Sequence, residues 1–138
     1  MTQLNPYLSF NGNCKEAITF YHQCIGGDLA IQTVAESPMA DKLPPDMQSH
    51  VMHSSISKDG HFLIMASDMH RTKLLEGNTV HLCMNFSSEE EIRSAFTNLS
   101  EGGVILEGLA KMFWGGLFGA LTDKYGKSWI FNYEEKAG

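Results

Sequence analysis

Val80-His81-Leu82-Cys83-Met84-Asn85-Phe86, then Ser87-Ser88-Glu89-Glu90-Glu91-Ile92, and finally Gly102-Gly103 form the stretch that decides the fold. The apolar run reads as a strand. Ser88 with Glu91 three residues on is a capping box. Glu89, Glu90 and Glu91 suit the positive end of a helix dipole. Ile92, Ala95, Phe96 and Leu99 recur at helical spacing, and the glycine pair ends the helix. The same order occurs near the N-terminus: an apolar run at 4–10, Asn13 with Glu16, a stripe of Cys14, Ala17, Ile18, Tyr21, Cys24 and Ile25, and then Gly26-Gly27. Phe10 and Phe86 are 76 residues apart, and so are the two glycine pairs. Strand, helix and cap therefore align without a gap.

Both halves continue alike. Residues 29–36, 51–57 and 61–67 read as strands after the first helix, the last two joined through Asp59-Gly60, a hairpin signal. After the second helix, 104–110, 119–123 and 128–133 read as strands, the last two joined around Tyr125-Gly126. Gly60 and Gly126 are 66 apart. The shortfall against the first interval falls in the loop at 37–48, which holds Pro38, Pro44 and Pro45 and is longer in the first half. The expectation is an α+β domain built by duplication of a βαβββ unit, one domain of two modules at about 1–70 and 77–138. Each unit puts a helix on one face of its curved sheet, and the other faces should enclose a concave pocket.

With 138 residues, 43% of them hydrophobic and 19% charged, the chain is an ordinary globular domain. A net charge of −6 argues against nucleic acid and anionic membrane as partners. No secretory leader is recognisable, and the longest wholly apolar run, 62–66, is far short of the roughly 20 residues a membrane helix needs. Three cysteines without a C-x-x-C pattern fit a reducing, cytoplasmic setting. Cys14 and Cys24 share one helix, about 15 Å apart by the helical rise, too far for a disulfide.

Pro6-Tyr7-Leu8-Ser9-Phe10, Asn11-Gly12-Asn13-Cys14, Ala17-Ile18, Phe20-Tyr21, Thr122-Asp123-Lys124-Tyr125-Gly126 and Trp129 give the chain a resemblance to the vicinal oxygen chelate superfamily, in its PhnB-like branch. That superfamily includes glyoxalase I, bleomycin-resistance proteins and extradiol dioxygenases. The resemblance spans essentially the whole chain and implies paired βαβββ modules around a pocket, commonly in a homodimer. Metal-dependent members place ligands five residues before the residue closing each opening strand, and in the last strand of each module. Carried over, with the last-strand position counted four residues beyond each hairpin glycine, these positions are Asn5, His81, Ile64 and Ile130. His81 alone is a usual ligand, so no cofactor is expected. A divalent metal held through other ligands stays open as an alternative. Asp68 is either a substitute carboxylate or the start of a turn. His50 and His53, three apart, would point to opposite faces of a strand.

His81, aimed into the concave face, is the candidate catalytic group and a candidate ligand contact, because imidazole exchanges protons near neutral pH. The aromatic and glycine-rich run Met112-Phe113-Trp114-Gly115-Gly116-Leu117-Phe118-Gly119 supplies Phe113, Trp114 and Phe118 as further ligand contacts, or else plugs the core. Tyr7 joins this set as a pocket-facing residue of the first strand. Methionines 39, 47, 52, 65, 69 and 112 fill the core or soften the pocket. No G-x-S-x-G nucleophile motif and no Gly-rich strand-to-helix turn is present. The expected function is small-molecule binding in a dimeric pocket without the usual divalent metal. The alternatives are a metal-dependent glyoxalase-like lyase or isomerase, sequestration of an antibiotic or toxic metabolite, and a pure interaction module.

Overall fold

In the computed structural model, which describes residues 2–135, the pattern that restarts in the sequence restarts in space. The chain divides into two units, Met1–Leu75 and Glu76–Gly138. In the first, β1 (Tyr7–Ser9) leads to α1 (Cys14–Ile25), β2 (Asp28–Thr33), β3 (Val51–Lys58) and β4 (His61–Ser67). In the second, β5 (Leu82–Phe86) leads to α2 (Glu89–Leu99), β6 (Val104–Lys111), β7 (Leu117–Thr122) and β8 (Ser128–Tyr133). The sheet orders are β1-β4-β3-β2 and β5-β8-β7-β6, so each opening strand lies parallel to the last strand of its unit. These are the two mixed sheets the duplication implies.

The opening strands are shorter than their apolar runs. Pro6 has no N–H to give a ladder, and Leu4 and Val80 are almost wholly exposed. The loop expected at 37–48 holds two single turns of 3₁₀ helix, Ala40–Lys42 and Pro45–Met47. The Gln48 side-chain amide pins that loop by donating to the carbonyls of Ala40 and Leu43 at 2.9 and 3.0 Å.

The two helix starts differ. Ser88 Oγ accepts from the Glu91 N–H at 3.1 Å, as its capping box requires. Asn13 makes no such bond. Its place is taken by Asp68, whose Oδ1 accepts from the Gly12 and Cys14 N–H groups at 2.8 and 3.1 Å. Oδ2 of Asp68 accepts from the Val51 N–H at 2.7 Å. A buried carboxylate from the end of β4 thus caps α1 and ties down the start of β3. Asp68 does start the turn after β4, its carbonyl accepting from the His70 N–H at 3.1 Å, while its carboxylate is taken up by backbone N–H groups.

Each helix packs its apolar stripe on one sheet face. In the first unit Ile18 and Tyr21 are buried with Val34, Val51, Ile56, Ile64 and Ala66. In the second, Ile92, Phe96 and Leu99 are buried with Leu121, Trp129 and Phe131, and Phe96 meets Phe131 edge-on at 5.1 Å. Each such side chain contributes about 1.5–3 kcal/mol by leaving water. Gly119 lets α2 approach: a Cβ there would lie 2.8 Å from Phe96 Cε2. Among the described residues no helix is long and apolar enough to cross a membrane.

The two closing hairpins are not equivalent. Asp59 and Gly60 both take positive φ, 52° and 82°, as a tight hairpin turn demands. The β3–β4 ladder then slips: Ser57 opposes Phe62 but Ile56 opposes Ile64, leaving Leu63 as a bulge. The β7–β8 ladder runs from Thr122↔Ser128 to Leu117↔Tyr133 without a slip. Counting from the hairpin glycines is therefore one residue out in the first unit.

Candidate functional sites on the open sheet faces

Strand alternation fixes what lies on the face away from each helix. In the second unit, Phe131 points to α2, so Ser128, Ile130 and Asn132 of β8 point to the open face. Their ladder partners share it: Cys83 beside Ile130 and Asn85 beside Asn132 on one flank, Phe118 beside Asn132 on the other. Asn132 Nδ2 donates to Asn85 Oδ1 at 3.0 Å. This amide pair lines, with Phe86 and Glu134, an open cleft of about 260 Å³. Among the described residues, no other bond takes the amide hydrogens of Asn85 or the carbonyl oxygen of Asn132.

The sequence-derived candidates of this unit separate along the sheet. Phe118 is half-buried next to Asn132. Phe113 and Trp114 form the tip of the β6–β7 hairpin, closed by bonds between Met112 and Gly116 at 2.8 Å and Gly115 and Met112 at 3.0 Å. They meet edge-on at 5.0 Å, with Phe113 97% and Trp114 44% exposed, so the tip does not plug the core. Gly116 lies so close to the Tyr133 carbonyl that a Cβ has no room, which sets the tip at the Asn132 end of the sheet. His81 lies at the other end, exposed and one residue ahead of β5. Four residues separate it from Asn85, about 13 Å at the strand rise.

In the first unit, Ser54 faces α1, its Oγ 3.7 Å from Cys14 Sγ. Its neighbours His53 and Ser55 therefore face away, together with Met65 and Tyr7. Tyr7 is half-exposed, and its ring centroid lies 6.1 Å from that of His53 with the planes at 37°. Met52 is bulged out of the β2–β3 ladder, and His50 precedes the strand. The two histidines are thus not a pair on one strand, and His53 is a ring neighbour of Tyr7. Beneath the sheet, burial pushes the Cys14 thiol up to about 12, with the Asp68 charge adding to the rise and the Ser54 hydrogen bond opposing it.

Residues 3–131 match the model of the Glyoxalase/Bleomycin resistance protein/Dioxygenase superfamily. The chain belongs to that superfamily. It is 31% identical to Protein YjdN of Escherichia coli K12, over 94% of this chain and 93% of that protein. Among solved structures it is similar to protein PA1353 of Pseudomonas aeruginosa, at 35% identity, a TM-score of 0.85, and coverage of 99% of this chain and 100% of that one. It is also similar to a Bacillus cereus PhnB protein described as a putative 3-demethylubiquinone-9 3-methyltransferase, at 26% identity, a TM-score of 0.72 and coverage of 96% and 99%.

The superfamily's metal positions can now be set by pairing. Tyr7 pairs with Met65 as Cys83 pairs with Ile130, so Met65, not Ile64, is the counterpart of Ile130. Ile64 is buried on the α1 side. The bulge at Leu63 causes the difference, because a one-residue slip turns a strand over. The four positions hold Asn5, Met65, His81 and Ile130. Among the described residues no three or more His, Cys, Asp or Glu side chains gather as a cation needs. This donor set does not fit the divalent ion of metal-dependent superfamily members.

Asn85, Asn132, His53 and Ser55 are missing from the sequence-derived candidates. A signal existed for the first two: each is an amide at an alternating position in an otherwise apolar strand. None existed for setting His53 beside Tyr7, because only the pairings of β1 with β4 and of β4 with β3 bring the two rings together.

Proposed function

We propose that this chain binds a small organic molecule on its open sheet faces, works as a homodimer, and does so without the usual divalent metal. The observation that carries the reading is the Asn85–Asn132 amide pair in the cleft beside Phe118. Two amides on the open face with spare donors and acceptors, next to an aromatic face, recognise a neutral polar molecule with one apolar side. Support for the dimer comes from β6, a sheet-edge strand on which Val104, Ile105 and Leu106 are 61, 52 and 55% exposed. Sequestration of an antibiotic or toxic metabolite would be the same binding put to a different use. It is recognised by recovery of the bound compound unchanged.

A thermal-shift screen of neutral polar metabolites tests the reading. A ligand at a hundredfold excess over its Kd stabilises by about 2.7 kcal/mol, enough to raise Tm by several degrees. The expected result is a hit whose shift disappears in the Asn85→Ala/Asn132→Ala double variant. Hits that ignore the double variant, or a screen without hits, would contradict it.

A further inference from the structure

The loop between β1 and α1 carries Asn11-Gly12, the one Asn-Gly pair of the sequence. In such a pair the glycine nitrogen can attack the asparagine side-chain carbonyl, because no side chain on the glycine blocks the approach. The fold requires the glycine. Its φ is +90°, and a Cβ there would lie 3.2 Å from Nε2 of His50. The attacking nitrogen is held elsewhere: the Gly12 N–H donates to Asp68 Oδ1 at 2.8 Å. The same carboxylate accepts from the Cys14 and Val51 N–H groups, so this clamp ties the loop to α1 and β3 together. The Asn11 side chain is exposed but also held. His70 Nδ1 lies 2.9 Å from the Thr72 carbonyl oxygen, which can only accept, so Nδ1 carries a proton. Its Nε2 lies 3.3 Å from Asn11 Oδ1. Against Gly12, Nδ1 of His50 is buried without a hydrogen-bond partner among the described residues. That costs free energy, which entry of water into an opened loop relieves.

We infer that Asn11 is a self-modification site that the Asp68 clamp holds shut. While the Gly12 N–H is bonded to Asp68, its peptide plane is fixed, and the attack has to rotate it. When the loop opens, the Gly12 nitrogen bonds to Cγ of Asn11 and the Cγ–Nδ2 bond breaks. The proton lost by Gly12 leaves on Nδ2, so ammonia departs and a cyclic imide remains. Water then opens the imide at either carbonyl, leaving aspartate or isoaspartate at position 11. The native rate is the open-loop rate multiplied by the fraction of time the loop is open. Both products add a negative charge. An aspartate sets a carboxylate against His70 Nε2, where an imidazolium donates to it. An isoaspartate lengthens the main chain by one carbon just ahead of Gly12, which draws that N–H off Asp68 and loosens the start of α1. This inference uses no residue of the amide cleft and stands apart from the binding reading.

The test is storage of the full chain at neutral pH and body temperature, with peptide mapping by mass spectrometry to follow aspartate and isoaspartate at position 11 over time. The native chain should convert about tenfold or more slowly than the same chain held in urea. Asp68→Ala frees the Gly12 N–H and should convert about tenfold or more faster than the native chain. Asp68→Asn keeps the side-chain shape and one acceptor oxygen, so it should fall between the two. It also covers the case in which Asp68→Ala does not fold. Ser88→Ala weakens the start of the other helix and should stay within about threefold of the native rate. Asn11→Gln should abolish the product, because a longer side chain closes a larger and less favourable ring. Equal rates in the native and urea-held chains would overturn the inference. So would native-like rates in both Asp68 variants, or an acceleration by Ser88→Ala as large as theirs. None of these outcomes bears on the proposed function.

Discussion

Asp68 shows how much one side chain can decide. Its two oxygens accept three backbone N–H groups, from Gly12, Cys14 and Val51, in a buried setting. Asp68→Ala leaves those donors unmet and should cost about 3 kcal/mol, seen as a lower urea midpoint at unchanged slope. Asn13→Ala, which removes no cap bond, should cost less than about 0.5 kcal/mol. Cys14 makes a pH-dependent prediction. Its thiol ionises near 9.0 in an unfolded chain and near 12 in the fold. Below pH 9 both states keep the proton. Between 9 and 12 the unfolded chain releases it first, so stability falls as pH rises through that window. Urea unfolding at pH 8 and pH 10.5 should show a loss in the native chain that is smaller in Cys14→Ala.

At the scale of elements, the two helices can be read directly from the sequence because capping, stripe and glycine stop all agree. Ser88→Ala should therefore cost α2 about 1 kcal/mol by chemical denaturation. Gly119→Ala should cost about 1–3 kcal/mol by pushing a Cβ against Phe96 and the β6 backbone. The strands are legible in number and order but not in parity. The bulges at Met52 and Leu63 are each one residue long, and neither carries a glycine or proline to announce it. Yet each turns over the side chains beyond it. The slip at Leu63 is why Ile64 stood in for Met65, whereas the meeting of His53 with Tyr7 follows only from the strand pairings. The amide cleft escaped for a different reason: Asn85 and Asn132 are 47 residues apart, and only the parallel pairing of β5 with β8 joins them.

At the scale of the whole molecule, the duplication did more than set the fold. It located the superfamily's metal positions, and the ladder pairings corrected one of them without supplying a second ligand: Met65 is no better than Ile64 as a partner for His81. The central claim is thus a superfamily member whose open sheet faces take an organic molecule and do not hold a divalent metal. Native mass spectrometry of the tag-free protein, purified without chelator and sprayed with and without a hit from the screen, tests it most directly. The account predicts a dimer mass free of bound metal that gains the mass of the hit in the native chain and not in Asn85→Ala/Asn132→Ala. One divalent ion per chain, retained on purification and lost in His81→Ala, would contradict it.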